Sequence, residues 1–407
     1  MSDIRFEGWL HRSGTGGVYQ DSAGNVGIAS TQPKTRLDIQ NGAFQIGPAG
    51  ICTATTVNTT NLVNATQLSH RNLIINGAMQ VAQRGTSSTD SGYGSVDRFR
   101  VQHSGTDESP TQAQVDVASG TTPYTLGFKK SHKITNGNQT SGAGAADHIY
   151  YEYYAEAQDI ANSGWNYTSS SSYITIQFWV KSSVSQNFYF RLQTSENNSP
   201  YNYPMETGVL TADTWTKITK TVPGNSNLQI NNDHLEGLKI EWMMFRGTNN
   251  TDSSVSLNTW AAYASGTRTP DQTTTWYTTN DATFELTGVQ VEVSDHATSF
   301  EHRSFAQELE LCKRYYQVLM EGNTAYFGST AYQYSGTLAI TQFQCTTEMR
   351  ITPTLVQGSG TNYYKYYINA TDHNFNSFTG FTNTHKRGGA LYWSASVTKG
   401  MAGAVSG

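Results

Sequence analysis

Residues 173–180 read YITIQFWV, and this stretch is the strongest indication of the fold class. Its apolar residues stand at every second position: Ile174, Ile176, Phe178 and Val180. A period of two places such residues on one face of a β-strand, where they can be buried while the other face meets water. The alternation recurs in three further stretches, 187–192, 215–219 and 238–242. The chain therefore reads as mainly β, with strands that each bury one face.

Residues 71–303 predict a jelly-roll β-sandwich of about eight strands. The predicted strands lie at 98–102, 112–117, 124–130, 173–180, 187–192, 215–219, 238–242 and 284–293. In the last of them Phe284 and Leu286 share one parity, whereas Val289, Val291 and Val293 have the other. One extra residue returns both sets to the same face, so we expect a β-bulge at Gly288. Residues 155–162 predict one short helical turn.

The composition excludes several classes of protein. The chain has 407 residues, of which 14% are charged, far below the roughly 25% of an average soluble domain. Coiled-coil rods and helical enzymes need more Glu, Lys, Ala and Leu than this. The 24 Tyr, 16 Phe and 8 Trp are too many large rings for a disordered chain. The formal net charge of −5 gives no reason to expect a polyanion, and we expect no nucleic acid as a partner.

The ends and the cysteines point to a protein made in a reducing compartment. Residues 1–17 show no signal peptide, and no run of about 18 apolar residues predicts insertion into a membrane. Cys52, Cys312 and Cys345 are odd in number and far apart, so we expect three free thiols rather than a disulfide framework or a zinc site.

The first 70 residues predict a stem. Short apolar pieces such as 26–28, 37–39 and 44–46 are separated by turn residues, including Asn41-Gly42. Each piece is too short to bury itself, so stacking between chains is expected to form an intertwined oligomeric β stem. Residues 53–68 are interpreted as stem or linker.

Residues 304–320 predict one connecting α-helix, which begins with a capping box formed by Ser304 and Gln307. Its apolar side chains are spaced by 4, 3, 4 and 3 residues: Phe305, Leu309, Cys312, Tyr316 and Leu319. Two interpretations stay open for this pattern. It could form a short seam between three helices of a trimer. About two heptads are few for a coiled coil, and a helix of this kind more often packs on its own sandwich.

Residues 321–407 predict a small C-terminal β domain. Its predicted strands are 325–327, 336–344, 354–357, 363–369 and 390–396. Tyr363-Tyr364-Lys365-Tyr366-Tyr367 would carry rings on both faces of its strand, one of them in the core. Residues 399–407 are rich in Gly, Ala and Ser and contain nothing that would anchor them.

No residues form a recognisable catalytic or metal site. Gly14-Thr15-Gly16-Gly17 lacks the Lys-Ser/Thr pair of a phosphate loop, and His296 and His302 are interpreted as exposed loop residues. Glycan hydrolases use paired carboxylates. Here Lys239 and Glu241 share a strand face that is expected to meet water, and no two acids stand out as partners. We therefore expect no enzyme activity, no metal and no cofactor.

Aromatic residues in Ser-, Thr- and Asn-rich loops are the best binding signal. They are Trp165, Tyr167, Tyr201, Tyr203, Trp260, Tyr263, Trp276 and Tyr277. Each ring taken singly is more often a core plug or an interface residue than a ligand contact. Four such loops in one sandwich nevertheless make glycan contact a serious hypothesis, because Trp and Tyr rings stack on sugar rings.

Several motifs carry a resemblance to a known family. They are NLIINGAMQVAQRGT at 72–86, SVDRF at 95–99, FELTGVQVE at 284–292, ATSFEHR at 297–303 and ELELCKRYYQ at 308–317. In this order they resemble a domain that is common in bacteriophage tail-fibre proteins. Residues 26–28 and 34–39 are similar to stem segments of cyanophage-type fibres.

The resemblance implies a virion structural protein, usually a homotrimer, with a jelly roll similar to carbohydrate-binding modules. It implies that residues 1–50 dock onto other phage tail or virion proteins, and that the chain is assembled in the host cytoplasm into a tail appendage of the particle. Such modules often hold calcium through an acid after the opening Asn-Gly and an Asp pair in the last strand. Gln80 and Thr287-Gly288 occupy these positions here, so no cofactor is expected.

Two main functions follow. The first is a non-enzymatic tail fibre that contributes to host adsorption by recognising surface polysaccharide. The alternative is a purely structural connector, collar or head fibre without receptor binding. A glycan depolymerase is a third, minor class.

Overall fold

The computed structural model describes residues 8–10, 17–28, 37–39, 44–46, 52–54, 70–194, 199–321, 329–368, 370–395 and 402–406. The chain divides into two compact units, Met1–Thr66 and Gln67–Gly407. Both consist mainly of β-strands, which confirms the predicted fold class. Among the described residues, no helix is long and apolar enough to cross a membrane.

The first unit contains one six-stranded sheet. Its strands are β1 (Gly8–Leu10), β2 (Gly17–Gln20), β3 (Val26–Ile28), β4 (Leu37–Ile39), β5 (Phe44–Ile46) and β6 (Cys52–Ala54). Each strand pairs with the next; β3 and β4 run parallel and the other pairs antiparallel. The short strands predicted at 26–28, 37–39 and 44–46 are thus confirmed. Exchange of strands between chains stays a prediction.

The second unit begins with a sandwich of two six-stranded antiparallel sheets. The back sheet has the order β15-β12-β18-β10-β9-β7. Its strands are β7 (Ser87–Ser88), β9 (Thr111–Asp116), β10 (Lys130–Thr135), β12 (Tyr173–Ser182), β15 (Thr216–Pro223) and β18 (Thr283–Val293). The front sheet has the order β17-β14-β13-β16-β11-β8. Its strands are β8 (Arg100–Ser104), β11 (His148–Glu156), β13 (Asn187–Thr194), β14 (Tyr201–Val209), β16 (Glu236–Arg246) and β17 (Ala261–Ala262).

The helices of the described residues are short. They are α1 (Thr122–Thr125), α2 (Ala157–Ala161), α3 (Thr275–Thr278) and α4 (Phe305–Lys313). Helix α2 confirms the turn predicted at 155–162. The strand predicted at 124–130 is wrong, because Pro123 starts α1 and the chain becomes extended only at Lys130. Proline suits a first helical turn, since it has the required φ and no N–H to pair.

The alternating residues of β12 build the core as predicted. Ile174, Ile176, Phe178 and Val180 are each at most 1% exposed. Phe178 meets Phe190 at 5.0 Å and Trp242 at 5.8 Å between ring centroids, in both cases edge to face. These two rings come from the front sheet, so one side chain of the back sheet joins both layers.

The predicted β-bulge at Gly288 is confirmed. Gln177 and Trp179 of β12 pair with Gln290 and Thr287 of β18. The two residues of β12 are two positions apart and their partners are three apart, so β18 carries one extra residue here. Gly288 has a φ of +62°, and a Cβ there would lie 2.8 Å from the Phe128 ring. The bulge directs Phe284, Leu286, Val289 and Val291 all into the core.

The motifs that carry the family resemblance meet in one buried cluster. The Asn76 N–H donates to the Glu308 carboxylate at 2.7 Å, and the Asn76 side chain binds the backbone of Val81 and Asp97. The Arg303 guanidinium donates to the carbonyls of Asn72 and Ile74. These residues therefore close the sandwich by tying its first segment to its last strand and to α4.

The predicted helix 304–320 is shorter than expected. Ser304 caps it as predicted, since its Oγ accepts the Gln307 N–H at 3.3 Å, but the helix ends at Lys313. Directly after this end, the Arg314 guanidinium donates two hydrogen bonds of 2.7 Å to the Glu156 carboxylate of β11.

The trimer seam is therefore corrected. Tyr316 and Leu319 lie beyond α4: the Tyr316 ring lies 3.7 Å from the Arg84 guanidinium, and Leu319 packs on the C-terminal core. Cys312 is 1% exposed within its own chain, Leu309 is half-buried, and Phe305 is exposed. Helix α4 packs on its own sandwich, the alternative that the two-heptad length favoured.

The C-terminal region folds as a seven-stranded sheet with its own core, inside the same compact unit. Its order is β22-β21-β25-β19-β20-β24-β23. The strands are β19 (Ala331–Gln333), β20 (Leu338–Gln344), β21 (Tyr364–Ile368), β22 (Thr371–Phe375), β23 (Gly380–His385), β24 (Gly388–Ser394) and β25 (Ala402–Ser406). The strands predicted at 336–344, 363–369 and 390–396 are confirmed, with Tyr364 and Tyr366 buried and Tyr363 and Tyr367 exposed.

Two predictions for this region are wrong. A third, the strand at 325–327, lies outside the described residues. Residues 354–357 form no strand, because the Gln357 side chain exchanges hydrogen bonds with the Phe378 backbone and holds the segment as a loop. The tail, predicted to lack an anchor, is anchored through its described residues 402–406: β25 pairs with β19 and β21, and Val405 is 0% exposed.

Candidate functional site

Five of the eight predicted contact rings are buried in the core, and Tyr167 and Tyr201 are half-buried against it. Trp276 and Tyr277 are 0% exposed, Trp165 3%, Tyr203 4% and Trp260 9%, and Tyr167 is half-buried. The indole N–H groups donate to backbone carbonyls, for example Trp260 to Pro223 at 2.7 Å and Trp276 to Thr283 at 3.0 Å. Buried rings with paired polar ends stabilise the sandwich. The predicted glycan contact at the five buried positions is corrected accordingly, and at Tyr167 it stays a prediction.

Tyr201 and Tyr263 are the two predicted rings that the structure brings together at the surface. Tyr201 of β14 pairs with Ala262 of β17, and the Tyr263 N–H donates to the Pro200 carbonyl at 2.8 Å. This edge pairing is why two residues 62 positions apart in sequence border the same cavity. Their contact with glycan stays a prediction.

The cavity between them, the tyrosine groove, has a volume of about 420 Å³. It is lined by Ser199, Pro200, Tyr201, Ser226, Asn227, Gln229, Ala262 and Tyr263. Ligand pockets for small molecules span about 300–1,000 Å³. Two rings beside hydroxyl and amide side chains combine a stacking surface with hydrogen-bonding groups. Sequence reasoning missed Ser226, Asn227 and Gln229, because no pattern connects their loop with β14.

The outer face of the front sheet, next to this groove, is charged and buried. Arg191, Glu241 and Glu152 stand opposite one another across β13, β16 and β11. The Arg191 Nε donates to Glu241 at 2.7 Å, and both side chains are at most 1% exposed. The expectation that Glu241 faces water is therefore wrong.

The segment 247–272 covers this face and explains the burial. The Asn202 side chain donates to the Arg268 carbonyl at 2.8 Å, and the side chains of Thr269 and Gln272 contact the Met243 sulfur. The cover comes from a loop that follows β16 in the chain and folds back over it. The strand pattern at 238–242 contains no sign of this cover.

The two facing carboxylates are both occupied by hydrogen bonds. Glu152 accepts from Arg100 at 2.7 Å, from Gln102 at 3.2 Å and from Tyr154 at 2.8 Å. Arg191, Lys239 and Arg246 surround Glu241; although burial opposes ionisation, these cations hold the pKa of its carboxyl below its usual range. A general acid needs a raised pKa, so Glu241 is unsuited to that role.

A second and larger cavity, of about 1330 Å³, lies between the sandwich and the C-terminal sheet. Exposed aliphatic side chains such as Leu235 and Val356 line it, and its arginines are engaged within the chain. Arg314 binds Glu156, and the Arg350 side chain donates to the His234 carbonyl at 3.0 Å. The Arg350 bond ties the C-terminal region to the sandwich, and the Arg314 bond ties the end of α4 to β11. We call this cavity the joint.

The described residues contain no group of three His, Cys, Asp or Glu side chains that could hold a metal ion. At the position of the family's Asp pair, the Thr287 hydroxyl donates to the Lys130 carbonyl at 2.7 Å and is thus engaged in strand pairing. Cys312 and Cys345 are free thiols, as predicted, and burial raises the pKa of the Cys312 thiol.

No protein-family model matches this chain, and no curated protein matches it. Solved structures with a similar fold include a putative sugar-binding protein from Bacteroides thetaiotaomicron, at 9% identity and a TM-score of 0.31. That match covers 55% of this chain and 100% of the other.

Two further solved structures match with similarly low sequence identity and TM-score. The enzymatically active domain of tailspike protein 4 from bacteriophage CBA120 matches at 8% identity and a TM-score of 0.29, over 55% of this chain and 21% of that one. A CBM22 tandem domain from Paenibacillus barcinonensis matches at 10% identity and a TM-score of 0.25, over 86% and 90%. At such distances, any functional assignment rests on the residues of this chain itself.

Proposed function

We propose that this chain is a non-enzymatic bacteriophage tail-fibre protein that binds host-surface glycan through the tyrosine groove. The observation that carries this proposal is the convergence of Tyr201 and Tyr263 with Ser226, Asn227 and Gln229 around one open cavity. The motifs that resemble tail-fibre proteins support the place of the chain in a phage particle.

The chemistry of the groove suits a sugar. A sugar ring has an apolar face made of C–H groups, which packs against an aromatic ring, and a rim of hydroxyls, which pair with amides and hydroxyls. Both tyrosines are half-buried, so each ring is held in place while part of its surface stays accessible. A ring that is fixed before binding loses little conformational entropy when the ligand arrives.

The absence of enzyme activity is part of the proposal. Glu152 and Glu241 face each other on one sheet, as the two acids of a glycosidase do, but both are buried and hydrogen-bonded or ion-paired. Incubation of the full chain with host capsular polysaccharide should leave the polymer length unchanged in size-exclusion chromatography. Shortened polymer would contradict this part of the proposal.

A panel of immobilised microbial surface polysaccharides tests glycan binding. The wild-type chain should bind at least one of them, and Tyr263→Ala should weaken that binding about tenfold or more, as expected when a central aromatic contact is lost. Tyr334→Ala, which removes an exposed ring of the C-terminal region, is the matched control and should bind like the wild type. The absence of any bound polysaccharide, or equal binding by Tyr263→Ala, would refute the proposal.

A purely structural virion connector, collar or head fibre is the second candidate. The burial of five of the eight loop rings favours it, since these aromatics stabilise the sandwich instead of facing a ligand. A reconstruction of the virion separates the two functions. A chain whose tyrosine groove is enclosed by other virion proteins would support the connector, and a groove open to solvent would support the tail fibre.

A further inference from the structure

A surplus of positive charge lies on the outer face of the front sheet. Arg191, Lys239 and Arg246 surround Glu241, with N–O distances of 2.7, 2.9 and 3.3 Å. Arg268 of the covering segment is a fourth cation close to them, and it forms no ion pair within the described residues. The other carboxylate of this face, Glu152, is paired with Arg100. The five cations therefore outnumber the two carboxylates by three.

Several N–H groups of this cluster lack a partner within the described part of the chain. They are Nη2 of Arg191, Nε of Arg246 and Nε of Arg268. Arg191 is 0% and Arg246 2% exposed, so water does not readily reach these donors. Unpaired buried donors are unusual in folded proteins, and donors on a cation have the highest cost. An oxyanion placed beside them would supply both the missing acceptor and the missing negative charge.

The cluster is connected to the tyrosine groove through Tyr263. The guanidinium carbons of Arg191 and Arg268 lie 5.4 and 5.7 Å from the centre of this ring. Arg191 is fully buried, whereas Arg268 is half-buried. Arg268 does not line the groove itself but lies beside its Tyr263 ring, so it is the cation that a ligand extending past Tyr263 would meet. Its backbone is fixed by hydrogen bonds to Asn250 and Asn202, which positions the guanidinium. Burial and the nearby Arg246 lower the pKa of Arg268, which agrees with an uncompensated positive charge.

We propose that the tyrosine groove takes an acidic polysaccharide, with a carboxylate or sulfate of the sugar bound by Arg268 beside Tyr263. This inference rests on the proposed glycan binding and specifies its ligand class. A guanidinium binds such oxyanions through two parallel N–H groups, which fixes the orientation of the sugar as well as its charge. The chain as a whole has a net charge of −5, although positive charge is in excess at this cluster. The negative net charge disfavours unspecific binding of a polyanion to the rest of the chain.

Two matched pairs of polymers test the inference on the full chain by isothermal titration. The carboxylate pair is polygalacturonate and its carboxyl-reduced form, and the sulfate pair is dextran sulfate and dextran. We expect an acidic member to bind at least tenfold more tightly than its neutral counterpart. Added salt should reduce this difference, since screening weakens an exposed charge pair.

Variants of Arg268 separate an ionic contact from a structural role. Its side chain forms no hydrogen bond within the described residues, so Arg268→Gln should fold, and circular dichroism and thermal unfolding check this. Arg268→Gln should lose about tenfold in affinity for the acidic polymer and none for the neutral one. Arg268→Lys should recover part of the loss, because it restores the charge. Arg387→Gln, at an exposed arginine of the C-terminal region, is the charge-matched control.

The outcomes distinguish this inference from the proposed function. Equal binding of acidic and neutral polymers, binding of neither acidic polymer, or full affinity in Arg268→Gln overturns the acidic specificity. The polysaccharide panel with Tyr263→Ala decides the proposed function separately. A neutral polysaccharide that binds there and depends on Tyr263 would keep the function and refute the acidic ligand.

Discussion

At the scale of single residues, a buried histidine makes the stability of the sandwich depend on pH. His132 is 0% exposed, its Nε2 lies 3.0 Å from the Ser95 Oγ, and its Nδ1 has no partner within the described residues. Burial lowers the pKa of His132 to about 3, from the usual 6.5. The folded protein therefore keeps the ring neutral under conditions in which the unfolded chain would protonate it.

The sign of the effect follows from proton uptake. Between the two pKa values the unfolded state binds one more proton, so His132 lowers the free energy of unfolding by about 1.4 kcal/mol for each pH unit below 6.5. Burial also lowers the pKa of His103 and His148, and these two histidines add to the slope between pH 6.5 and 5 in every variant. The difference between the wild type and a His132 variant therefore reports His132. Urea unfolding should show the slope in the wild type and in His385→Gln, an exposed control. His132→Gln should be flatter by about one proton; an unchanged slope would contradict this explanation.

The same scale shows what a sequence can and cannot reveal about the site. The alternation of Ile174, Ile176 and Phe178 is local, so it could be predicted from neighbouring residues. The burial of Glu241 depends on the segment 247–272, which folds back over its strand. The approach of Tyr201 and Tyr263 depends on the pairing of two distant segments, and neither segment indicates it.

At the scale of elements, the C-terminal strand is the piece most open to a direct test. Strand β25 pairs with β19 and β21 in the interior of its sheet, with Val405 fully buried and Ala402 exposed. Val405→Asp should destabilise the C-terminal sheet by several kcal/mol, because an unpaired charge would enter the core. Limited proteolysis should then cleave within 329–395. Ala402→Asp, in the same strand, should stay resistant, and equal resistance of both variants would show that β25 does not hold the sheet.

The errors at this scale share one physical cause. Helix α4 ends at Lys313, although the apolar spacing continues to Leu319, and the residues that follow bind other parts of the chain, as Arg314 does to Glu156 and Tyr316 to Arg84. In the tail, Ala402, Gly403 and Ala404 have weak intrinsic preference for a strand, and pairing with β19 and β21 gives them their strand conformation. Local patterns therefore predicted the elements whose structure follows from the spacing of their own apolar residues. They failed for elements whose structure depends on contacts with residues distant in sequence.

At the scale of the whole molecule, we propose a homotrimer assembled through the stem at residues 1–70, with 1–50 docked to the particle. Cys312, Tyr316 and Leu319 make their contacts within the chain, so we place the assembly contacts in the stem. Multi-angle light scattering of the full chain should give three times the mass of one chain at micromolar concentration. A chain that begins at residue 67 should be monomeric. A monomeric full chain, or a trimeric truncated chain, would contradict this assignment.

The central claim is that glycan binds in the tyrosine groove, and hydrogen–deuterium exchange of the full chain with a bound polysaccharide tests it most directly. We predict slower exchange in peptides that cover 199–202, 226–230 and 261–268, and no change in these peptides for Tyr263→Ala. Protection confined to the joint at 349–358, or absent from all three groove segments while glycan is bound, would contradict the claim.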